Sequence, residues 1–579
     1  MISRRIPPPP PSHARTWAAI AICAAVYVYA FPYQPEVNNP NENVRFFMTA
    51  AIVDEGTYAI DAIRARWGWV NDAALYEGHV YSVKAPGTSL MGVPGYWLYR
   101  QWCDLRETPL DRTTALWVVR MTASALPMLV FLFFFHRWLG RRGAPPVVRD
   151  GVFLSVALGS LLLAYATMFV SHATSAATAF GAFMLLERAR HAQRISFGGA
   201  WLAGLLAAMC TALEYPGFVA TAVLCLYALV CVRPWHRLVP FALGAILPTL
   251  AVLHFHWRAF GDPMTPGHRY LEHAAFRELA NEGFFGASTF STDAAGGLLF
   301  DLGYGLFPLT PVLLLAFFGF PRLLARRRTR LDALVALAIP LGTWGLICFM
   351  NNWRGGWTVG PRYLAIGLPF LAWAALEGGT WMARSLPRVT GALVVGATGA
   401  AFIASGGPSV YYPHLPEAFT RPVPQLVRWL VRHDFAPYNA GSWIAQQLGD
   451  ELWGTRSMLP MFLLALLALA WIAWAQRRLT DRLLVLIGAS FFGSTFLAPV
   501  VADDPNATGA PDALAYVVRF WEPEGHDVAA RLEERTESGE ATPEDWARLV
   551  RTYEEEGRRS EARSAERRAR SAAGLGASR

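Results

Sequence analysis

The stretch PEVNNPNENVRFFMTAAIVDEGTYAIDAIRARWGWVNDAALYEGHVYSVKAPGTSLMGVP, residues 35–94, is a polar passage set directly after the first apolar run of the chain. Acidic groups crowd into it (Glu42, Asp54, Glu55, Asp61, Asp72 and Glu77), with Arg45, His79, Tyr81 and Lys84 among them. Lys84 is the only lysine in 579 residues; every other side chain in the Lys+Arg total of 51 is arginine. A lysine kept in so arginine-biased a chain suits a site that wants a compact ammonium rather than a planar fork. What surrounds the passage decides whether it belongs to a soluble domain or to a loop between membrane spans.

Composition points to the bilayer. The chain is 54% hydrophobic and only 16% charged, with 22 Trp and 35 Phe, against a charged share of about 25% in soluble domains. The formal net charge of +8 comes from arginines in short runs between apolar segments. Cytoplasmic loops carry that pattern, so nucleic acid is not needed to explain it. Five of the six cysteines fall in apolar runs and only Cys103 lies in a polar loop, which yields neither a disulfide framework nor zinc spacing.

Thirteen apolar stretches read as spans, at 17–33, 113–136, 151–170, 173–187, 198–213, 217–232, 238–257, 306–321, 331–350, 363–382, 389–405, 458–475 and 483–501. The basic, proline-rich residues 1–16 lack a clear cleavage site after them, so the first span reads as a retained anchor with its start in the cytoplasm. Arginines then fall on alternate loops: Arg137, Arg141, Arg142 and Arg149; Arg188, Arg190 and Arg194; Arg233 and Arg237; Arg322 to Arg330; Arg384 and Arg388; Arg477, Arg478 and Arg482. The positive-inside rule is met at each crossing, and an odd count puts the C-terminus outside. Residues 17–501 thus form one all-α polytopic domain, with large outer segments at 34–112, 258–305, 351–362 and 406–457. The spans carry few charges, and Glu214 sits at the edge of one. A carrier keeps ionisable groups near the midplane, whereas this pattern suits an enzyme working at the outer boundary.

Within the first outer loop, Val44, Phe47, Met48, Ala51 and Ile52 fall at helical spacing. They predict an amphipathic helix over 42–55, lying in the interface with Glu42, Arg45 and Thr49 along its polar stripe. Asn41 or Asn43 caps its start, and Gly56 ends it. Glu42 then sits where backbone N–H groups favour its ionised form. Downstream, EGHVYSVKAPG ends in a Pro-Gly break that holds Tyr81 and Lys84 near the headgroups.

The order of first span, N-E-N-V-R-F helix ending in glycine, then Y-x-x-K-x-P before an apolar segment resembles the GT-C class of membrane glycosyltransferases. In particular it is similar to the protein O-mannosyltransferase-like bacterial branch that includes the lipid A aminoarabinose transferase. The segments at 257–268, 302–311 and 353–364 are similar to segments of bacterial members of that class, and the likeness covers roughly residues 15–400. It implies transfer of a sugar from a polyprenyl-phosphate donor to a lipid, glycan or protein acceptor outside a bacterial inner membrane. It puts Glu42 on the family's second acidic position, and Tyr81 and Lys84 on its tyrosine and its phosphate-binding lysine. Asn41 stands where the family has an aspartate, which leaves Glu42, Asp54 or Asp61 as the base.

Such chemistry needs a carboxylate to take the acceptor's proton and cations to stabilise the departing phosphate. Glu42 is the first choice of base and Asp61 the second; Asp54 closes the helix at the end where its dipole disfavours a negative charge. Lys84, Tyr81, Arg45 and Arg362 are the expected donor-phosphate contacts, with His79, His268 and Arg269 as further substrate contacts. No Asp-x-Asp or His/Asp cluster calls for a metal, and no cofactor is expected.

The segment PVPQLVRWLVRHDF, 422–435, predicts a second interfacial amphipathic helix. The tail, 502–579, is charged and polar; Trp546, Leu549, Tyr553, Gly557, Ala562 and Ala569 match one tetratricopeptide-like hairpin. One such repeat seldom stands alone, so the tail packs on an outer loop or meets a protein partner. Two rival functions share this topology: an oligosaccharide polymerase or ligase, and a flippase for lipid-linked sugars. The flippase would need repeat symmetry and mid-span polar residues.

Overall fold

Proline, glycine and arginine punctuate the apolar stretches, and several helix ends of the computed structural model fall at them. The structure describes residues 12–33, 39–283, 286–448, 454–476, 479–518, 532–533, 535–536, 541–555 and 559–572. The proline run, Arg477, Arg478 and Gly557 lie outside the described residues. The chain divides into two units, Met1–Tyr33 with Asn38–Ala510, and Gln34–Val37 with Pro511–Arg579.

In the large unit each of the thirteen stretches is helical. Six helices are long and apolar enough to cross a membrane by length and composition: Arg112–Gly140, Trp235–Phe260, Arg330–Cys348, Pro387–Tyr411, Gly454–Ala473 and Leu479–Val501. Phe197–Leu213, Tyr215–Cys231 and Pro311–Ala325 are shorter apolar helices. The stretch at 151–170 is two helices, Pro146–Leu158 and Leu161–Ala166, parted at Gly159 and restarted by the Ser160 side chain accepting from the Leu162 N–H at 3.2 Å. The first helix, His13–Tyr29, begins earlier than hydropathy suggests because Ser12 caps it through the Arg15 N–H.

Ion pairs separate the loops into two sets. Arg15 pairs with Asp150 at 2.6 Å, Arg142 with Glu187 at 2.8 Å, Arg190 with Asp332 at 3.0 Å, Arg326 with Glu377 at 2.5 Å and Arg388 with Asp481 at 2.8 Å. Every one of these joins segments in or beside the arginine-rich loops. Glu187, His191 and Asp332 come close enough to resemble a metal cluster. Their oxygens, however, already accept from Arg142, Trp138, Arg190 and Tyr227, so the group is a staple between helix ends.

The acidic and aromatic loops are joined to one another in the same way. Glu272 N–H donates to Ala73 O at 2.9 Å, Asn351 N–H to Gly286 O at 2.9 Å and Thr358 N–H to Leu415 O at 3.1 Å, while Arg428 reaches Asp503 at 3.0 Å. The chain is a multi-pass, helical membrane protein.

Two local features depart from the sequence reading. The first-loop helix spans Pro40–Asp54, close to the expected limits, but Asn41 through Ala51 are all buried. It is not an interfacial helix with one wet face: its polar stripe finds partners inside the protein, which removes the need for solvent. The second is a strand pair, the only one among the described residues, in which Ala73–Tyr76 runs antiparallel to His79–Ser82. Its two-residue turn, Glu77–Gly78, has positive φ at both positions (50° and 83°), the geometry that matches strand twist. The 422–435 segment forms a π turn, Val423–Val427, running into the helix Arg428–Arg432, with Leu426 and Leu430 buried.

In the small unit, helices Pro543–Glu555 and Arg559–Ala572 pack through Trp546, Leu549, Tyr553, Ala562 and Ala565. That is one helical hairpin.

Candidate functional site

The hairpin delivers Lys84. Two residues beyond the second strand, its N–H donates to Ser82 Oγ at 3.1 Å, and Val83 N–H donates to Asp72 O at 3.2 Å. Asp72, in the left-handed region at φ 59°, turns its carboxylate onto Lys84 Nζ at 2.9 Å. Aspartate tolerates that backbone better than most residues, and such positions cluster at functional sites. Gly87 then opens the helix Gly87–Arg106 against the neighbouring span: a Cβ there would stand 2.5 Å from Ala212 O. Only glycine lets the Lys84 turn lie against the turn that carries Glu214.

Two further cations, Arg45 and Arg362, and one histidine, His268, join Lys84 from separate segments. Arg45, 3% exposed, reaches out of the buried helix to Asn41 O at 2.6 Å, to Asn41 Oδ1 and to Ser171 Oγ at 3.3 Å. Arg362 follows the W-R-G-G turn, where Gly355 has φ +75° and where a Cβ would stand 2.9 Å from Arg362 Nε. His268 sits on the loop that the bridge Ala74 to Leu271 ties to the hairpin. Burial would raise Asp72, yet Lys84 first, then Arg362 and His268, hold it below its ordinary value. Burial lowers Arg45 to about 10, with Glu214 pulling the other way. Burial, with Lys84 adding to it, takes His268 down to about 4, so the ring is neutral at pH 7.

Neither Arg45 nor Arg362 has a carboxylate within ion-pair distance among the described residues, and the Nε of each is sealed from solvent without a hydrogen-bond partner. A buried charge left so calls for an anion. Beside them, His172 Nδ1 and Glu214 Oε1 approach to 2.8 Å, off the line of a hydrogen bond, both residues being buried. Tyr165 and Tyr363 present ring edges to His172 at 4.8 and 5.9 Å between centroids.

Glu42 lies one step away, in a second group. Arg120 grips it bidentately (Nε to Oε1 at 2.6 Å, Nη2 to Oε2 at 2.5 Å), Phe169 N–H donates to Oε1 at 2.6 Å and Asn39 Nδ2 to Oε2 at 3.4 Å. Burial would push this carboxyl up, but Arg120 above all holds it below its ordinary value. His414, bridged through Asn39 at 3.3 Å, is lowered to about 4 by burial.

The remaining expected residues stand elsewhere. Asp54 is taken by Arg66 at 2.6 Å, Tyr96 at 2.9 Å and Arg100 at 3.4 Å at the far end of the helix. Asp61 accepts from Val80 N–H at 3.1 Å and meets an exposed His79 at 3.5 Å. Tyr81 packs edge-on to Phe260 at 5.6 Å, and Arg269 is exposed. Sequence reasoning missed Asp72, Glu214, His172, Arg120 and His414. Two of these had left a signal: Asp72 among the acidic groups of the first outer loop, and Glu214 at the edge of a span.

A largely apolar cavity of about 480 Å³ lies among the helices, lined by Val26, Leu158, Ile403, Val410, Val427 and Phe462 among others.

Fold and site together define a multi-pass helical membrane protein with a half-buried, cation-rich site among one set of loops. Among solved structures the chain is similar to ArnT from Cupriavidus metallidurans bound to undecaprenyl phosphate, at 15% identity over 92% of this chain and 82% of that one, TM-score 0.44. It is similar also to the arabinosyltransferase EmbB from Mycobacterium smegmatis, at 15% identity over 89% of this chain and 44% of that one, TM-score 0.40. A third is the oligosaccharyltransferase of Archaeoglobus fulgidus, at 10% identity over 77% and 61%, TM-score 0.40. No family model matches the sequence, and no curated protein matches it.

Proposed function

We propose that this chain is a GT-C class membrane glycosyltransferase. It moves a sugar from a polyprenyl-phosphate donor to a lipid, glycan or protein acceptor at the outer face of a bacterial inner membrane. The observation that carries the reading is the pair of guanidiniums, Arg45 and Arg362, left without a carboxylate beside Lys84. A phosphate monoanion or dianion supplies the missing charge. Lys84 contributes a point charge and Arg362 a fork suited to two phosphate oxygens, while Asp72 keeps the ammonium in place.

Taking this arginine pair, Arg45 buried and Arg362 half-buried, as the phosphate clamp also fits the energetics of the step. Negative charge grows on the bridging oxygen as the sugar leaves, and fixed cations in a dry site stabilise it far more than water would. The apolar cavity gives part of a prenyl chain a place away from bulk lipid. Glu42, with both oxygens held by Arg120 and Phe169, anchors the helix that presents Arg45 rather than accepting a proton.

The test is transfer by the purified protein from undecaprenyl-phosphate-linked monosaccharides, with solubilised native membranes as the source of acceptor. Lys84→Ala should abolish release of undecaprenyl phosphate while the protein remains folded. Lys84→Arg should keep a small fraction of activity, since a longer planar group displaces the contact. Wild-type turnover by Lys84→Ala would end the reading of Lys84 as the phosphate ligand.

A further inference from the structure

A glycosyl transfer to a hydroxyl needs a proton acceptor with a lone pair to spare, and most carboxylates near the site have none. Asp72 is committed to Lys84 at 2.9 Å. Glu42 is gripped by Arg120 and Phe169, and Asp54 by Arg66, Arg100 and Tyr96. Asp61, half-exposed, gives Oδ1 to the Val80 N–H, and its Oδ2, without a hydrogen-bond partner, faces His79 at 3.5 Å on the hairpin. Glu214 is different. Its residue is 8% exposed, its Oε1 has no hydrogen-bond partner, and no arginine or lysine lies within ion-pair distance of it among the described residues.

Its placement is built, not incidental. Glu214 ends the helix Phe197–Leu213 in extended backbone (φ −155°, ψ 123°), just before the tight turn Tyr215–Gly217. The close approach of Gly87 to Ala212 O fixes that turn against the Lys84 turn. Its charge bears on Arg45, one of the two arginines of the proposed phosphate clamp. Behind it stands His172, buried, with both ring nitrogens lacking hydrogen-bond partners and Nδ1 2.8 Å from Glu214 Oε1.

We propose that Glu214, backed by His172, is the group that takes the proton from the attacking hydroxyl. This assignment rests on the glycosyltransferase reading. The acceptor oxygen forms a bond to the anomeric carbon, and the carbon–oxygen bond to the lipid phosphate breaks with its electron pair leaving on the phosphate. The hydroxyl proton passes to the Glu214 carboxylate. His172 is a positioning residue that holds the carboxylate in place.

The experiment compares wild type, Glu214→Gln and Glu214→Asp for turnover of undecaprenyl-phosphate sugars, for binding of undecaprenyl phosphate itself, and for transfer to azide. Azide attacks as an anion and has no proton to lose. Glu214→Gln should lower transfer to hydroxyl acceptors by about 10²–10⁴-fold, leave undecaprenyl phosphate binding within a few-fold of wild type, and keep transfer to azide. Glu214→Asp should recover part of the hydroxyl transfer. Turnover by Glu214→Gln close to wild type would overturn the assignment. So would parallel loss of hydroxyl transfer, azide transfer and lipid-phosphate binding, because a structural role predicts that pattern. Failure of the wild type itself to release undecaprenyl phosphate from any such donor would instead end the glycosyltransferase reading.

Discussion

Glu42 and Arg120 show why a residue's type predicts less than its partners do. In sequence, Glu42 is an acidic group at a helix start, and proton acceptance is its natural role. In the folded chain it is 2% exposed and locked to an arginine that is 1% exposed. Arg120 falls inside an apolar stretch, so nothing local pairs it with a residue 78 positions earlier. Removing one member of a buried pair leaves the other charge bare and costs about 3–5 kcal/mol. Glu42→Gln and Arg120→Gln should therefore each lower the melting temperature in detergent, and the double variant should regain much of the loss. If Glu42→Gln instead melts like wild type while turnover falls by about 10²–10⁴-fold, Glu42 is the base that its position in the sequence suggested. Lys84, Arg45, Arg362 and His268 were legible because each stands out in an outer loop. Glu214 and His172 were not, since each borders a span beside a turn of a few residues and acquires its meaning only from the other.

Elements tell the same story through backbone approach. The helix Gly87–Arg106 belongs to the first outer loop, yet it packs its first residue onto the carbonyl of Ala212. Gly87→Ala should force the two backbones apart, which a packed core resists. Turnover should drop more than lipid-phosphate affinity, because the Lys84 turn moves relative to Glu214 while its contact with Asp72 travels with it. Equal loss of both, or of neither, would argue against the two turns forming one unit. The hairpin at Ala73–Ser82 was missed because its turn, Glu77–Gly78, lacks the usual Asn or Asp before glycine. The buried helix Pro40–Asp54 was found but misplaced: hydrophobic spacing marks one apolar face and cannot say that the polar face is buried as well.

On the scale of the molecule the helical character of the thirteen stretches was readable from hydropathy, and ion pairs staple several of the arginine-rich loops to one another. A reporter fused within 322–330 should register as cytoplasmic and one fused after residue 579 as periplasmic; finding both on one side would remove the odd span count. The bias that leaves arginine at every other basic position has a spectroscopic consequence. Feeding lysine labelled with ¹⁵N at its side-chain nitrogen would place one magnetic label in the whole 63.8 kDa polypeptide, at Lys84. A single resonance from that ammonium would need no assignment. Its shift on adding undecaprenyl phosphate, against its behaviour in Asp72→Asn, would show directly whether the nitrogen changes its partner from a carboxylate to a phosphate.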